Sequence, residues 1–397
     1  MQKINAYAIK NKFFFILTSL IVTCFFGYSQ QANITVEGLI IDDTKITIPY
    51  AAIVLQKKAK GTSSTEDGEF ILMVSENDLT DTLVVNSLGF KPFKIMVKDY
   101  LNKQEKIINL KESTISLAEV KIVKPEYYVI NALKNLKRTT VSDQHQLTLL
   151  YRRASSEEGK ARFFIEQYMK ILDRGPSVTR MSRIEILESR KSADYRFFKK
   201  KEFRHSVIPM TIRNPVRHPI SIKNTKWKKI GDSSYENEDV VIIEAKPKGQ
   251  AKFKLYIGVD TFSIYKIENY ANNSLYIYKK NKDGKLYLSY HSRQWTSDET
   301  IDESLQKRLR KDSNKISATY KHEVFILDIE TNKKKAKVRH NFEAETNDMA
   351  LLEIPYHEEF WNSFNLPPET KYFKKIKEEL ESNFGVPLQT QFQYSNK

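Results

Sequence analysis

Short apolar runs that alternate residue by residue with polar ones recur along most of this chain, and a period of two is the spacing of a strand with one buried face rather than of a helix. From Ile34 onward, Ile34, Val36, Gly38 and Ile40 alternate with Thr35, Glu37, Leu39 and Ile41. Pro49 breaks this run before Ala52 to Leu55, and Gly61-Thr62 opens a polar stretch that ends at Asp67-Gly68, a dipeptide suited to a tight hairpin turn. Phe70, Leu72 and Val74 alternate again, followed by Leu83 to Val85, Phe93 to Val97 and Ile107 to Leu110. Short strands at this spacing, with no helix between them, predict a sandwich of about seven strands over residues 32–124.

The strings Val36-Glu37-Gly38, Ile48-Pro49-Tyr50-Ala51-Ala52-Ile53-Val54, Lys60-Gly61-Thr62, Glu66-Asp67-Gly68-Glu69-Phe70 and Ser87-Leu88-Gly89-Phe90 fall in a recognisable order. Residues 32–124 therefore resemble the carboxypeptidase-regulatory-like domain, a transthyretin-like sandwich common at the N-termini of outer-membrane receptors in the Bacteroidetes. Leu117-Ala118-Glu119-Val120-Lys121-Ile122 resembles the exit strand by which such domains join the next module. The resemblance implies an Ig-type sandwich with no catalytic residue of its own. Gly61, Gly68 and Gly89 fit bends where a Cβ would obstruct the chain, and Phe70 and Phe90 can fill the core.

Pro125 opens a larger second domain, residues 125–397. Val129, Leu133 and Leu136, supported by Ala132, predict a helix over 126–138, with Lys134, Lys137 and Arg138 toward the end that favours cations. Strands resume at Leu147 to Tyr151 and Phe163 to Ile171 around a Ser155 to Gly159 turn, then at Val240 to Glu244, Phe253 to Val259 and Phe262 to Tyr270. Two more hairpins are expected, Leu275 to Tyr290 around Lys282-Asp283-Gly284 and Val324 to Phe342 around Asn332 to Lys335. A second helix is expected over 371–384, with Phe373, Ile376, Leu380 and Phe384 on one face and a stop at Gly385 and Pro387. The fold expected is thus mainly β, a sandwich followed by an antiparallel meander with a few helices. The hairpin about Asp260 is similar in pattern to the curved sheet of periplasmic lipoprotein carriers, and no ligand follows from that pattern.

Lys and Arg number 65 against 49 Asp and Glu, a formal charge of +16. Lys3, Lys10 and Lys12 precede the apolar run Phe13 to Phe26 and the small-x-small triplet Gly27-Tyr28-Ser29, the grammar of a secretory signal over residues 1–29. The run is shorter than the roughly 20 residues of a spanning helix, so cleavage is expected, with retention as an anchor the alternative. An exported, periplasmic or outer-membrane-associated protein has no use for its basic charge on nucleic acid. The single cysteine, Cys24, lies in the leader, and Ile21-Val22-Thr23 before it does not suit lipidation. The mature chain then has no disulfide or thiolate and must stand on packing.

One segment gathers cations. Lys199 to Lys229 holds Lys199, Lys200, Lys201 and Arg204, three prolines, His205 and His218, and ends near Trp227. This combination suits contact with an anionic surface, while the plainer expectation is a solvated connection that covers a sheet edge. The partner is then an unknown envelope component, either anionic lipid or an outer-membrane protein.

Catalysis finds little footing. His340-Asn341-Phe342-Glu343 and His357 are the only zinc-like set, and residues three apart on a strand point to opposite faces. There is no nucleophile elbow or phosphate-cradling glycine loop, and only 12 glycines in all. The expected function is a non-enzymatic envelope binding or scaffold module without a cofactor, and the alternative is an envelope hydrolase, metal-dependent if the histidines converge. A receptor barrel is not expected from this length, since about 270 residues after the first domain are too few for a plug and the roughly 22 strands of a transporter.

Overall fold

The computed structural model describes residues 34–58, 60–113, 123–198 and 205–396. The leader with Cys24, the expected exit strand and Lys199 to Arg204 lie outside the described residues.

Seven strands form the sandwich: β1 (Ile34–Asp42), β2 (Ala52–Leu55), β3 (Gly61–Ser63), β4 (Glu69–Val74), β5 (Thr82–Asn86), β6 (Phe93–Met96) and β7 (Ile107–Leu110). One sheet has the order β4-β1-β7 and the other β3-β2-β5-β6. The alternation read from the sequence decides which side chains face inward. Val36, Ile40, Ile53, Leu55, Phe70, Leu72, Leu83 and Val85 are buried together between the sheets. Gly68 has φ +81° at the β3–β4 turn, a conformation that a side chain disfavours. One difference from expectation is local, because β6 runs into a helical turn, Val97–Leu101. That turn brings Val97 and Tyr100, three residues apart, onto the core, and Tyr100 Oη donates to Glu37 O at 2.9 Å.

The second domain is built on ten antiparallel strands: β8 (His145–Glu157), β9 (Lys160–Asp173), β10 (Arg183–Lys191), β11 (Thr225–Tyr235), β12 (Glu238–Pro247), β13 (Phe253–Gly258), β14 (Ile264–Asn269), β15 (Ser274–Lys280), β16 (Leu286–Thr300) and β17 (Lys315–Glu330). Their order in the sheet is β10-β9-β8-β17-β16-β15-β14-β13-β12-β11. The chain therefore runs outward from β8 to one edge at β10, crosses to the opposite edge at β11, and meanders back until β17 closes against β8. Adjacent strands lie about 4.8 Å apart, so the crossing spans on the order of 40 Å.

That crossing is the proline-rich basic segment. Val207, Ile208, Met210 and Val216 are buried in the main core with Leu149, Tyr151, Ile243 and Leu255 of the sheet. Residues 205–217 are accordingly packed on the sheet and not a solvated loop, 218–224 are a largely exposed link, and residues 225–229 already belong to β11. The helix α1 (Pro125–Thr139) lies on the same face through Val129, Ala132 and Leu136, with Pro125 at its first turn and Lys137 and Arg138 in its last.

The expected Val324 to Phe342 hairpin is not formed. β17 is already paired on both sides, with β16 and with β8, so no edge remains for the residues after Glu330. Ala336 and Val338 instead pack on Leu172.

The opposite face carries the C-terminal helices α2 (Glu358–Ser363), α3 (Lys371–Phe384) and α4 (Leu388–Ser395). Phe373, Ile376 and Leu380 pack with Ala154 and Phe164, and Gly385, at φ +64°, ends α3. The sandwich docks on this face as well, through its β3–β4 turn. Glu66 pairs with Lys321 at 2.5 Å, Asp67 Oδ2 accepts from Lys371 N at the start of α3 at 2.7 Å, and Glu69 reaches Lys374 at 3.4 Å. Changing Glu66, Asp67 and Glu69 together to their amides is expected to leave both domains folded while weakening docking by about 1–2 kcal/mol, since pairs of this kind contribute about 0–1 kcal/mol each. Hydrogen exchange checks it. Faster exchange confined to the turn and the start of α3 is expected, and unchanged exchange there would show that the domains are held without these pairs.

Candidate functional site

Between the sandwich and the sheet lies a cleft of about 610 Å³. Its floor is the outer face of the four-stranded sandwich sheet. Because Ile53, Leu55, Leu83 and Val85 point into the sandwich core, their neighbours Ala52, Val54, Val84 and Asn86 point out. Register pairs Ala52 with Asn86 and sets Val54, Val84 and Lys94 in one row.

The walls are two hairpin turns of the large sheet. At the β11–β12 turn Glu236 and Asn237 have φ +49° and +66°, the positive pair of a turn matched to strand twist. At the β15–β16 turn Asn281 Oδ1 accepts from Asp283 N and Lys285 N at 3.0 and 2.9 Å, and Gly284 takes φ +74°. Glu236 ties these pieces together: its Oε2 pairs with Lys280 at 2.5 Å, and its Oε1 accepts from Asn86 Nδ2 at 3.0 Å.

Charge is what distinguishes this cleft. Lys91, Lys94, Lys279, Lys280 and Lys282 line it against the single carboxylate Glu236. Lys91, Lys94 and Lys282 are exposed on the rim. Lys279 lies at the bottom, only 1% exposed, where its Nζ donates to Gly61 O at 2.9 Å and stands 5.4 Å from the Tyr287 ring centre. Burial pushes its ammonium down to about 7, with Asp328 a weaker opposing influence. A Cβ on Gly61 would overlap Ile53 O and Val54, so a glycine lets β3 sit this close to its neighbour.

A smaller chamber of about 210 Å³ shares the walls Ala52, Asn86 and Tyr235 with the cleft. Tyr50, Leu88, Phe90, Tyr235, Tyr265 and Ile277 make it apolar and aromatic. The Tyr235 and Tyr265 rings are 4.5 Å apart, and the Tyr265 hydroxyl is committed to Glu238 Oε2 at 2.5 Å. The arrangement is a cationic cleft beside an aromatic chamber.

Beneath the seam the sheet carries a buried ionic frame. Arg152 Nε donates to Glu166 Oε1 at 2.7 Å, its Nη1 lies 3.6 Å from Glu323, and its Nη2 donates to Pro367 O at 3.0 Å. Arg190 completes the set on Glu166. Despite desolvation, the two guanidinium groups hold the Glu166 carboxyl down to about 2, whereas desolvation dominates at Glu323 and raises it. Tyr290 Oη donates to Glu323 at 2.9 Å, and the Tyr50 ring of the sandwich lies 4.8 Å from that of Tyr290.

Of the residues singled out from the sequence, Lys199, Lys200, Lys201 and Arg204 lie outside the described residues. Trp227 is half-buried, with its ring edge-on to Phe253 and its Nε1 donating to Ile222 O at 3.2 Å. His340 pairs with Glu345 and His357 with Glu188, two separate places. No group of three metal-ligating side chains occurs among the described residues. The cleft lysines were not anticipated, because Lys91 and Lys94 stand nearly 200 residues from Lys279 to Lys282; the one local sign was the cationic Lys279-Lys280-Asn281-Lys282 turn.

Residues 36–122 match the model of the CarboxypepD_reg-like domain. No curated protein matches the chain. Among solved structures, the chain is similar to a putative outer membrane lipoprotein-sorting protein domain from Vibrio parahaemolyticus, at 9% identity over 53% of this chain and 94% of that one, with a TM-score of 0.31. A DUF1329 family protein from Desulfovibrio piger aligns at 11% identity over 51% and 94%, with a TM-score of 0.25. A LolA superfamily protein from Nitrosomonas europaea aligns at 14% identity over 52% and 94%, with a TM-score of 0.18.

Proposed function

We propose that this chain is an exported, non-enzymatic binding module of the cell envelope that takes an anionic ligand in the cleft between its two domains. The observation that carries this reading is the five lysines gathered against one glutamate around a cleft of about 610 Å³. Domain seams are common places for ligand sites, and a low-dielectric wall strengthens the pull of a fixed cation. Lysines and amides bind and orient. A hydrolase needs a nucleophile or metal with a base beside it, and the candidate histidines are each engaged with a different glutamate, away from the cleft lining.

Pyrophosphate at constant ionic strength is a direct probe. Calorimetric binding is expected, and reversing the exposed rim charges in Lys94→Glu with Lys282→Glu is expected to weaken it tenfold or more, because like charges then face the ligand well inside the screening length of roughly 8 Å. Unchanged affinity in the double variant would place the anion elsewhere and remove the basis of the proposal.

A further inference from the structure

The charged cleft and the aromatic chamber adjoin along one shared boundary, the neck between them. Ala52 and Asn86 of the sandwich and Tyr235 of the large sheet bound both. The lysines lie on the cleft side of this neck, apart from Lys266 in the chamber wall, which pairs with Glu268 at 2.8 Å. The chamber's remaining surface is mostly ring and aliphatic carbon, and the Tyr265 hydroxyl is already bonded to Glu238. A small inorganic anion would satisfy the lysines and leave this chamber unused, whereas a ligand with both parts would bury apolar surface in the same event. The Tyr235 and Tyr265 rings pack on each other at 4.5 Å and form one aromatic wall that a further ring can meet edge or face.

We propose that the ligand is an amphipathic anion bearing an aromatic group, its charge held by the cleft lysines and its ring seated among Tyr50, Tyr235 and Tyr265. This rests on the cleft being the binding site. The chemistry, an acidic group one neck's length from a flat apolar one, is shared by aryl phosphates and by acidic peptides with an aromatic residue. The probe is the simpler of these.

Binding of 1-naphthyl phosphate is compared with that of methyl phosphate, which has the same charge, and with 1-naphthol, which has the ring alone. The expected order is naphthyl phosphate at least tenfold tighter than either. Leu88→Trp and Phe90→Trp, which each add bulk to the chamber alone, are expected to bring naphthyl phosphate down to the level of methyl phosphate while leaving methyl phosphate itself unchanged. Equal affinity of the two phosphates for the unaltered protein would overturn the proposal, and that comparison stands even if either variant fails to fold. If methyl phosphate binding still falls with the Lys94 and Lys282 reversals, the cleft reading survives that result. If neither phosphate responds to those reversals, both readings fail. Naphthol binding as tightly as naphthyl phosphate would also overturn the proposal, since charge would then contribute nothing.

Discussion

Replacing Arg152 with methionine is expected to destabilise the protein by about 3–5 kcal/mol, because the change leaves a buried carboxylate without its counter-charge. Arg152 is fully buried between Glu166 and Glu323. Glu166 keeps Arg190 in the variant, but Glu323 retains the Tyr290 hydroxyl and the more distant charge of Lys321, and Pro367 O loses its donor. The two glutamates should respond in opposite ways. Glu166→Gln is expected to cost a similar amount, since two guanidinium groups lose their partner. Glu323→Gln is expected to cost little or to stabilise at neutral pH, because burial already works against its charge. The folded pKa of Glu166 is depressed, so its contribution is present above the usual carboxylate range and is lost as pH falls toward about 2. Urea unfolding of the three variants measures these effects. Equal costs for the two glutamine variants would show that the frame does not distinguish the two carboxylates.

Lys279→Met is expected to make the protein more stable at pH 7 and worse at binding. The ordinary lysine value of 10.5 falls to about 7 at this site. Between those two values the unfolded chain holds a proton that the folded protein has released, so stability rises with pH across that window, and the full cost of burial is felt at and below about pH 7. Each tenfold loss of proton affinity corresponds to about 1.36 kcal/mol, and the lost hydrogen bond to Gly61 O returns part of the gain. A net gain of about 2–4 kcal/mol at neutral pH is the expected result, together with a flat stability profile between pH 7 and 10 where the unaltered protein climbs. Anion affinity should fall in the same variant. A methionine variant less stable than the parent at pH 7 would mean that burial of this amine costs nothing. A buried cation that lowers stability and lines a cleft is the pattern of a residue kept for binding.

Much of the strand content was legible because its cause is local. The alternation at Ile34 to Ile40, at Phe70 to Val74 and at Phe253 to Ile257 reports which side of a strand is buried, whatever its neighbours are. Turn chemistry at Lys282-Asp283-Gly284 is equally local and closes a hairpin, whereas the Asp67-Gly68 turn formed but joins strands of two different sheets. The helix at 371–384 was readable for the same reason, since Phe373, Ile376 and Leu380 share a face and Gly385 supplies the left-handed stop.

The misread segments share a different cause. Ala336 to Phe342 looked like a second arm for β17, but β17 had already paired on both edges, and pairing order is not written in either strand. The Pro-rich segment looked solvated because its Lys, Arg and His are polar, yet Val207, Ile208, Met210 and Val216 face the sheet. Its course is dictated by β10 and β11 occupying opposite edges.

Local propensity and period two therefore settled that the chain is mainly β, with a small sandwich ahead of a larger antiparallel sheet, because each run of residues carries its own facing preference. The cleft depended on which turns of one domain meet which face of the other. Lys94 on β6, Lys279 and Lys280 at the end of β15 and Lys282 on the β15–β16 turn converge only when the β3–β4 turn docks on α3 and β17, and electrostatic attraction across that seam acts through space, with no trace in the spacing along the chain.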